Sequence, residues 1–251
     1  MQNIVVLKFG SSVLRTADDL PGVVEEILRH REGSNRVIAV VSAIGKTTEV
    51  LLKQARELCA DPEPWATAEL LATGERISAA LLGIALDRGG ARTRVVNPRE
   101  IGLEVKGEPL DGEPIAVNLN HVEELFREYP ILVVPGFFGT DKTGRTQLLG
   151  RGGSDLTAAF LAVALGARCR LIKDVDGVYE SDPADKASHP RRFADLNYAD
   201  ALHVAGKLIQ SKAVEYIRTH RAICEVASLA SPFCTRVYEG ATRIHSDSKT
   251  D

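Results

Sequence analysis

The sequence predicts an α/β fold built on an open, mostly parallel sheet with helices on both faces. Three observations predict it. Short β-branched runs such as "NIVVLKF", "RVIAVVSA" and "ILVVPG" alternate with longer stretches of helical periodicity. These runs are apolar throughout rather than at every second position, the pattern of strands buried on both faces. Glycines and small polar residues gather directly after the runs, where such sheets bind their ligands.

Taken in order, "NIVVLKF" is the first strand and "DDLPGVVEEILRHRE" its crossover helix, with Val23, Val24, Ile27 and Leu28 on one face. Pro21 suits the first turn of that helix, after Asp18 or Asp19 as N-cap. "RVIAVVSA" is the second strand and "TTEVLLKQARELCA" the second helix. After a break at "DPEPW", a long helix runs across "TAELLATGERISAALLGIALDRGG" and ends at its glycines. "RTRVV", "ILVVPG", "CRLIKDV" and "ICEVASL" supply further strands. "FFGTDKTGRTQLLG" reads as a hairpin around "DKTG", and "GRGGSDLTAAFLAVALG" as a strongly apolar helix capped by Ser154 or Asp155. No internal repeat or low-complexity linker divides the chain.

A chain of 251 residues is long enough for one large α/β domain or two closely joined lobes. With 44% hydrophobic and 26% charged residues it has the composition of a soluble globular protein. A net charge of −3 gives a nucleic-acid partner no electrostatic support and favours a small-molecule substrate. No apolar run reaches the roughly 18 residues of a membrane span, and "MQNIVVLKFG" lacks the pattern of a signal peptide, so the expectation is a cytoplasmic protein with no membrane partner. Cys59, Cys169, Cys224 and Cys234 show no C-x-x-C spacing; they read as small buried hydrophobes kept reduced.

Four loops and one helix could carry chemistry. In "KFGSSVL", Lys8 offers a fixed cation and Gly10 lets backbone N–H groups approach an anion, although a tight turn reads the same way. In "VVSAIGKTT", Ser42, Thr47 and Thr48 either hydrogen-bond a ligand or cap the helix; the spacing is not that of a Walker A loop. In "GRGGSD", turn and cap chemistry explains every residue except Arg151, whose guanidinium suits a carboxylate or phosphate. Turn chemistry also accounts for the acids of "LIKDVDGVYESDP". Glu75, in a helix of apolar and small residues, either faces solvent or meets a buried partner such as an ammonium group.

Taken together, "KFGSSV", "VVSAIGKTTEVLL", "LLATGERISAALLGIAL", "VVPGFFG", "LLGRGGSDLTAAFLAVALGA", "KDVDGVYESDP" and "AGKLIQSKAVE" resemble the catalytic domain of the aspartate kinases, within the amino acid kinase family. The resemblance implies a three-layer αβα sandwich that phosphorylates the side-chain carboxylate of L-aspartate with ATP and Mg²⁺, in a homodimer. It implies that Lys8 neutralises the transferring phosphoryl group with the Gly10 and Ser11 amides, while Asp155 orients Lys8. It also implies that Arg151 holds a substrate carboxylate, Glu75 takes the substrate ammonium, and Ser42, Thr48 and Ser154 lie beside the substrate. Lys173, Asp174, Tyr179, Asp182 and Lys207 match the ATP side, with Lys207 as a second catalytic cation. No carboxylate cluster for a metal is evident, so Mg²⁺ is expected on ATP oxygens and water.

Three departures accompany the resemblance. Ser11 replaces a glycine usual in aspartate kinases, making the first loop more similar to the Lys-x-Gly-[Ser/Thr]-Ser-Val-Leu of glutamate 5-kinases. "AGKLIQSKAVE" differs from the usual Gly-Ala-Lys-Val-Leu-His-Pro, so Lys212 is a second candidate for the place of Lys207. The resemblance ends near Ile244. The expected organisation is therefore a catalytic domain over residues 1–245, a tail over 246–251 and no ACT domains, with insensitivity to lysine and threonine. Residues 1–150 would bind the amino acid and 151–245 the ATP. The alternatives are a kinase of another small amino-acid carboxylate and a catalytically silent amino-acid-binding subunit.

Overall fold

A computed structural model of the chain describes residues 3–32, 35–185, 189–206 and 208–245. Strand β1 (Ile4–Phe9) leads through a 3-10 turn at Ala17–Asp19 to helix α1 (Leu20–Arg31); β2 (Arg36–Val41) precedes α2 (Thr47–Leu58) and the long α3 (Pro64–Arg88). Then come β3 (Thr93–Val95), β4 (Glu104–Glu108), β5 (Asp111–Ala116), α4 (Leu119–Glu128), β6 (Ile131–Pro135), β7 (Phe138–Thr140) and β8 (Thr146–Leu148). The remainder comprises α5 (Gly153–Leu165), β9 (Arg168–Lys173), β10 (Phe193–Asn197), α6 (Tyr198–Val204), α7 (Ser211–Thr219), β11 (Cys224–Ser228), β12 (Thr235–Tyr238) and β13 (Arg243–Ile244).

Among the described residues the main sheet has the order β13-β10-β12-β11-β9-β1-β2-β6-β3, and a smaller sheet has the order β5-β4-β7-β8. From β11 to β3 every pairing in the main sheet is parallel; β12 against β11 and β13 against β10 are antiparallel. The three layers follow from the two-residue period of the strands. Val5, Leu7 and Phe9 of β1 pack with Val23 and Ile27 of α1 and Ala79 and Leu82 of α3. On the other face, Val6, Ile38, Leu132, Cys169 and Leu171 pack with Phe160 of α5 and Val214 and Ile217 of α7. Alternation then places Lys8 after Val6 and Lys173 after Leu171, at the ends of two adjacent rows that face α5.

Some local details differ from expectation. Asp19 is the N-cap residue of α1 with Pro21 in the first turn, as expected, but its side chain makes no capping bond to that helix. The carboxylate serves the preceding turn, where Thr16 is the N-cap and Asp19 accepts from the Arg15 and Thr16 N–H groups. Neither Ser154 nor Asp155 caps α5, whose N-cap is Gly152 in a left-handed conformation (φ 79°). The N-cap of α2 is Lys46, and Thr47 donates to the Ile44 carbonyl. Cys59 is exposed rather than buried. Strands β4, β5, β10, β12 and β13 escaped the periodicity because they are short, polar or interrupted by glycine and proline. The "DKTG" hairpin is present as β7–β8.

Candidate active site

The carboxyl ends of β1, β2 and β9 open into one cleft of about 1410 Å³. Its lining brings together Lys8, Gly10, Ser11, Ser42, Thr48, Glu75, Arg151, Ser154, Asp155, Lys173, Asp174, Tyr179 and Asp182. Lys207 lies outside the described residues.

At the centre, Asp155 bridges two lysines. Lys8 Nζ lies 2.6 Å from Asp155 Oδ1, and Lys173 Nζ lies 3.0 Å from Oδ2 and 3.3 Å from Oδ1. All three side chains are buried. Burial pushes the Asp155 carboxyl up, but the ammonium groups of Lys8 and Lys173 outweigh it and hold the acid down to about 2. Burial also draws the Lys8 ammonium below its ordinary range, against the pull of Asp155, and neighbouring Lys173 adds to that lowering. The pairing of Lys173 with Asp155 escaped the sequence reading, which placed this lysine only on the ATP side.

Gly10 leaves room for its neighbour. A Cβ there would stand 2.7 Å from Lys8 Nζ, so any side chain at this position would displace the tip of the lysine. The Gly10 carbonyl accepts from Val13 and Leu14, turning the chain so that exposed Ser11 and Ser12 border the cleft. The β1 and β2 loops are tied by bonds from Ser42 N to Phe9 O (3.0 Å) and from Gly45 N to Leu14 O (2.8 Å). Gly10→Ala is expected to leave the melting temperature nearly unchanged, because a lysine tip can move, while shifting that tip lowers kcat roughly 10–100-fold. Calorimetry and steady-state kinetics on one preparation check both.

The other end is built on α3. Glu75 is 3% exposed, so of its two readings the structure selects the buried one. Its Oε1 accepts from Ala43 N (3.2 Å), while Oε2 is buried with no hydrogen-bond partner among the described residues. Burial pushes this carboxyl up to about 7, against the opposing pull of the Ala43 N–H. Gly74 makes the approach possible, since a Cβ there would come within 2.9 Å of the Ala43 Cβ. That role of Gly74 was not foreseen, although "TGERIS" signals it by putting a glycine before a buried acid. Arg151 is exposed at the rim and has no ion-pair partner among the described residues. Ser42 and Thr48 are half-buried.

On the β9 side, Tyr179 donates its hydroxyl to Asp176 Oδ1 (2.6 Å); burial and that bond push the phenol up to about 12. Asp176, absent from the expected set, holds this ring. Asp182 accepts from Ala184 N (2.9 Å), and Asp174 is exposed. Lys212 is elsewhere: it pairs with Asp111 and donates to Leu149 O (3.1 Å), joining α7 to the small sheet. Among the described residues no three His, Cys, Asp or Glu side chains gather to hold a metal, and no helix is long and apolar enough to cross a membrane.

The aspartokinase of Mycobacterium tuberculosis is 34% identical over 230 residues, covering 90% of this chain and 54% of that protein. The chain therefore spans about half the length of the curated relatives it matches. The aspartate kinase of Synechocystis superposes with a TM-score of 0.82 at 30% identity, covering 94% of this chain and 40% of that one. Escherichia coli aspartokinase III in complex with aspartate and ADP superposes at 0.83 with 23% identity, over 95% of this chain and 65% of that one, a likeness of fold. The family description matched over residues 3–228 is that of the amino acid kinases. With the α/β fold and the glycine-lined cleft in place, the chain belongs to the amino acid kinase family.

Proposed function

We propose that the chain transfers the γ-phosphoryl group of ATP to the side-chain carboxylate of L-aspartate, giving 4-phospho-L-aspartate and ADP. The observation that carries this reading is the unpartnered, buried Glu75 Oε2 in the same cleft as the free guanidinium of Arg151 and the cations of Lys8 and Lys173. An α-amino acid with a second carboxylate answers all of them: its ammonium to Glu75, its α-carboxylate to Arg151, its side chain toward the lysines. The aspartokinase relatives, and the aspartate and ADP held by the Escherichia coli structure, support the same assignment.

The chemistry asks little of acid–base groups. A side-chain carboxylate oxygen attacks the γ-phosphorus, the bond to the β,γ-bridging oxygen breaks, and ADP leaves; no proton moves. What the protein supplies is alignment of two mutually repelling anions and stabilisation of the charge between them. Lys8 does this at the end of β1, held by Asp155, with the first turn of α5 lining the same cleft and adding the positive end of its dipole. Magnesium shields phosphate charge when bound; Asp174 and Asp182 border the cleft, but without a dedicated ligand cluster the ion belongs chiefly to the ATP phosphates.

The acceptor is then held chiefly by residues of about 1–150, with Arg151 at the boundary, and the nucleotide by about 151–245; Glu75 and Tyr179 line the one cleft between them. A cytoplasmic setting fits the need for ATP and the free cysteines. For a homodimer, support comes from exposed Ile77 and Ile84, two turns apart on α3, with β3 at the edge of the main sheet.

A hydroxylamine-trap assay with ATP and a panel of aspartate, glutamate and N-acetylglutamate tests the assignment. Aspartate is expected to give by far the largest acyl-hydroxamate yield; equal or greater yield from another acid overturns it. Below pH 7 the Glu75 carboxyl is increasingly protonated and must lose that proton to pair with an ammonium. KM for aspartate should therefore fall as pH rises from about 6 to 8, by up to roughly tenfold per unit on the acid side. Glu75→Gln should abolish that dependence and raise KM roughly 30-fold. A KM independent of pH in the unaltered protein would refute the ammonium contact.

A further inference from the structure

Asp155 is one carboxylate with two lysines on it. The trio of Lys8, Asp155 and Lys173 is buried, and one negative charge neutralises only one ammonium group. A structural ion pair would need a single lysine, because each further buried charge adds a desolvation penalty. Among the described residues the other carboxylate that acts on Lys8 is Glu75, whose one bonded oxygen is taken by Ala43 N and whose own charge burial suppresses. The closed cluster thus carries a surplus of positive charge beside the cleft, and both lysines line that cleft.

The backbone shows that this is an arrangement rather than a coincidence of long side chains. β1 and β9 are neighbouring parallel strands, with Lys8 opposite Leu171 and Phe9 opposite Ile172. Lys8 and Lys173 are the last inward positions of their strands on the face covered by α5, and Asp155 lies in the first turn of that helix. Two strands and a helix N-terminus therefore converge on one point. An anion placed there would meet two ammonium groups beside the positive end of the α5 dipole, the surroundings that stabilise charge developing on equatorial phosphoryl oxygens.

Building on the phosphoryl-transfer reading above, we propose that Lys173 is a second catalytic cation, contacting the transferring phosphoryl group alongside Lys8. Asp155 spaces the two ammonium groups, which grip different oxygens of the same group. Lys173 neither gives nor takes a proton. Its contribution rises as the phosphorus moves from ADP to the acceptor and is small for ADP alone.

The test compares the unaltered chain with Lys173→Gln and Lys173→Arg. Lys173→Gln leaves Asp155 paired with Lys8 and is expected to fold, a point read from unchanged binding of MgADP. Its kcat should fall about 100-fold with KM for aspartate changed by less than about threefold. Capture of aluminium fluoride by the complex with MgADP and aspartate, a mimic of the phosphoryl group in flight, should weaken by a comparable factor. Lys173→Arg, which keeps the charge, should recover most of both. A merely structural lysine would weaken MgADP and aluminium fluoride together, or leave kcat within about threefold, and either result overturns the proposal. The unaltered chain separates the two ideas: if it phosphorylates another acid, the aspartate assignment fails and the Lys173 comparison is run with that acid.

Discussion

Lys8→Ala should lower kcat about 1000-fold while KM for aspartate changes by less than about threefold. The asymmetry comes from the division of roles: Lys8 Nζ stands 2.6 Å from Asp155 at the end of β1, whereas the acceptor's ammonium and α-carboxylate are assigned to Glu75 and Arg151. Its charge matters most when the phosphoryl group is between donor and acceptor, so its loss appears in the chemical step. The variant should stay folded, because Asp155 retains Lys173 at 3.0 Å. Isothermal titration with aspartate and steady-state kinetics decide the point; equal losses in binding and turnover would contradict it.

Asp155→Asn should be worse for the fold than either lysine change. Removing the carboxylate strands two buried ammonium groups with no counter-charge, a loss of about 3–5 kcal/mol and roughly 10 °C in melting temperature. The pH dependence gives an independent check. The Asp155 carboxyl titrates near 2 in the folded protein against an ordinary 3.8. A depressed acid contributes stability that is present above its unfolded value and lost as pH falls through the folded one. The unaltered protein should thus lose stability between about pH 4 and pH 2 through this group, and the variant should lack that component. Urea unfolding across this range measures it; a variant as stable as the parent at pH 7 would show that the Asp155 carboxylate contributes no net stability.

Much of this was legible in the sequence because the main sheet is buried on both faces. "NIVVLKF", "RVIAVVSA" and "CRLIKDV" carry apolar residues at consecutive positions rather than at every second one, the pattern of strands covered by helices on both sides. The same regularity made Lys8 and Glu75 conspicuous: a charge in an apolar row needs a partner or a ligand. Lys173 obeyed that rule as well, yet "LIKDVDG" reads equally as a strand running out into a turn, and its partner lies eighteen positions back on a helix. Asp155 was misread as a cap because an acid in the first turn of a helix satisfies local chemistry before any distant contact is known. The small sheet was only partly legible, as its hairpin. Gly107, Gly112 and Pro114 interrupt the alternation of β4 and β5, and those strands are defined by pairing across the sheet.

That small sheet has an evolutionary and practical consequence. The lysine–carboxylate trio belongs entirely to β1, β9 and α5, whereas Leu110 and Leu148, which line the same cleft, belong to the β5-β4-β7-β8 unit or its turns. That unit packs onto α3 through Leu71, Phe138 and Leu148 and onto α5 through Val105, Leu149 and Leu156, with Lys212 tied to Asp111. New acceptors can be reached by exchanging or redrawing the hairpins while the phosphoryl centre is left intact, which makes residues 104–116 and 138–148 the natural segments for a substrate-switching library.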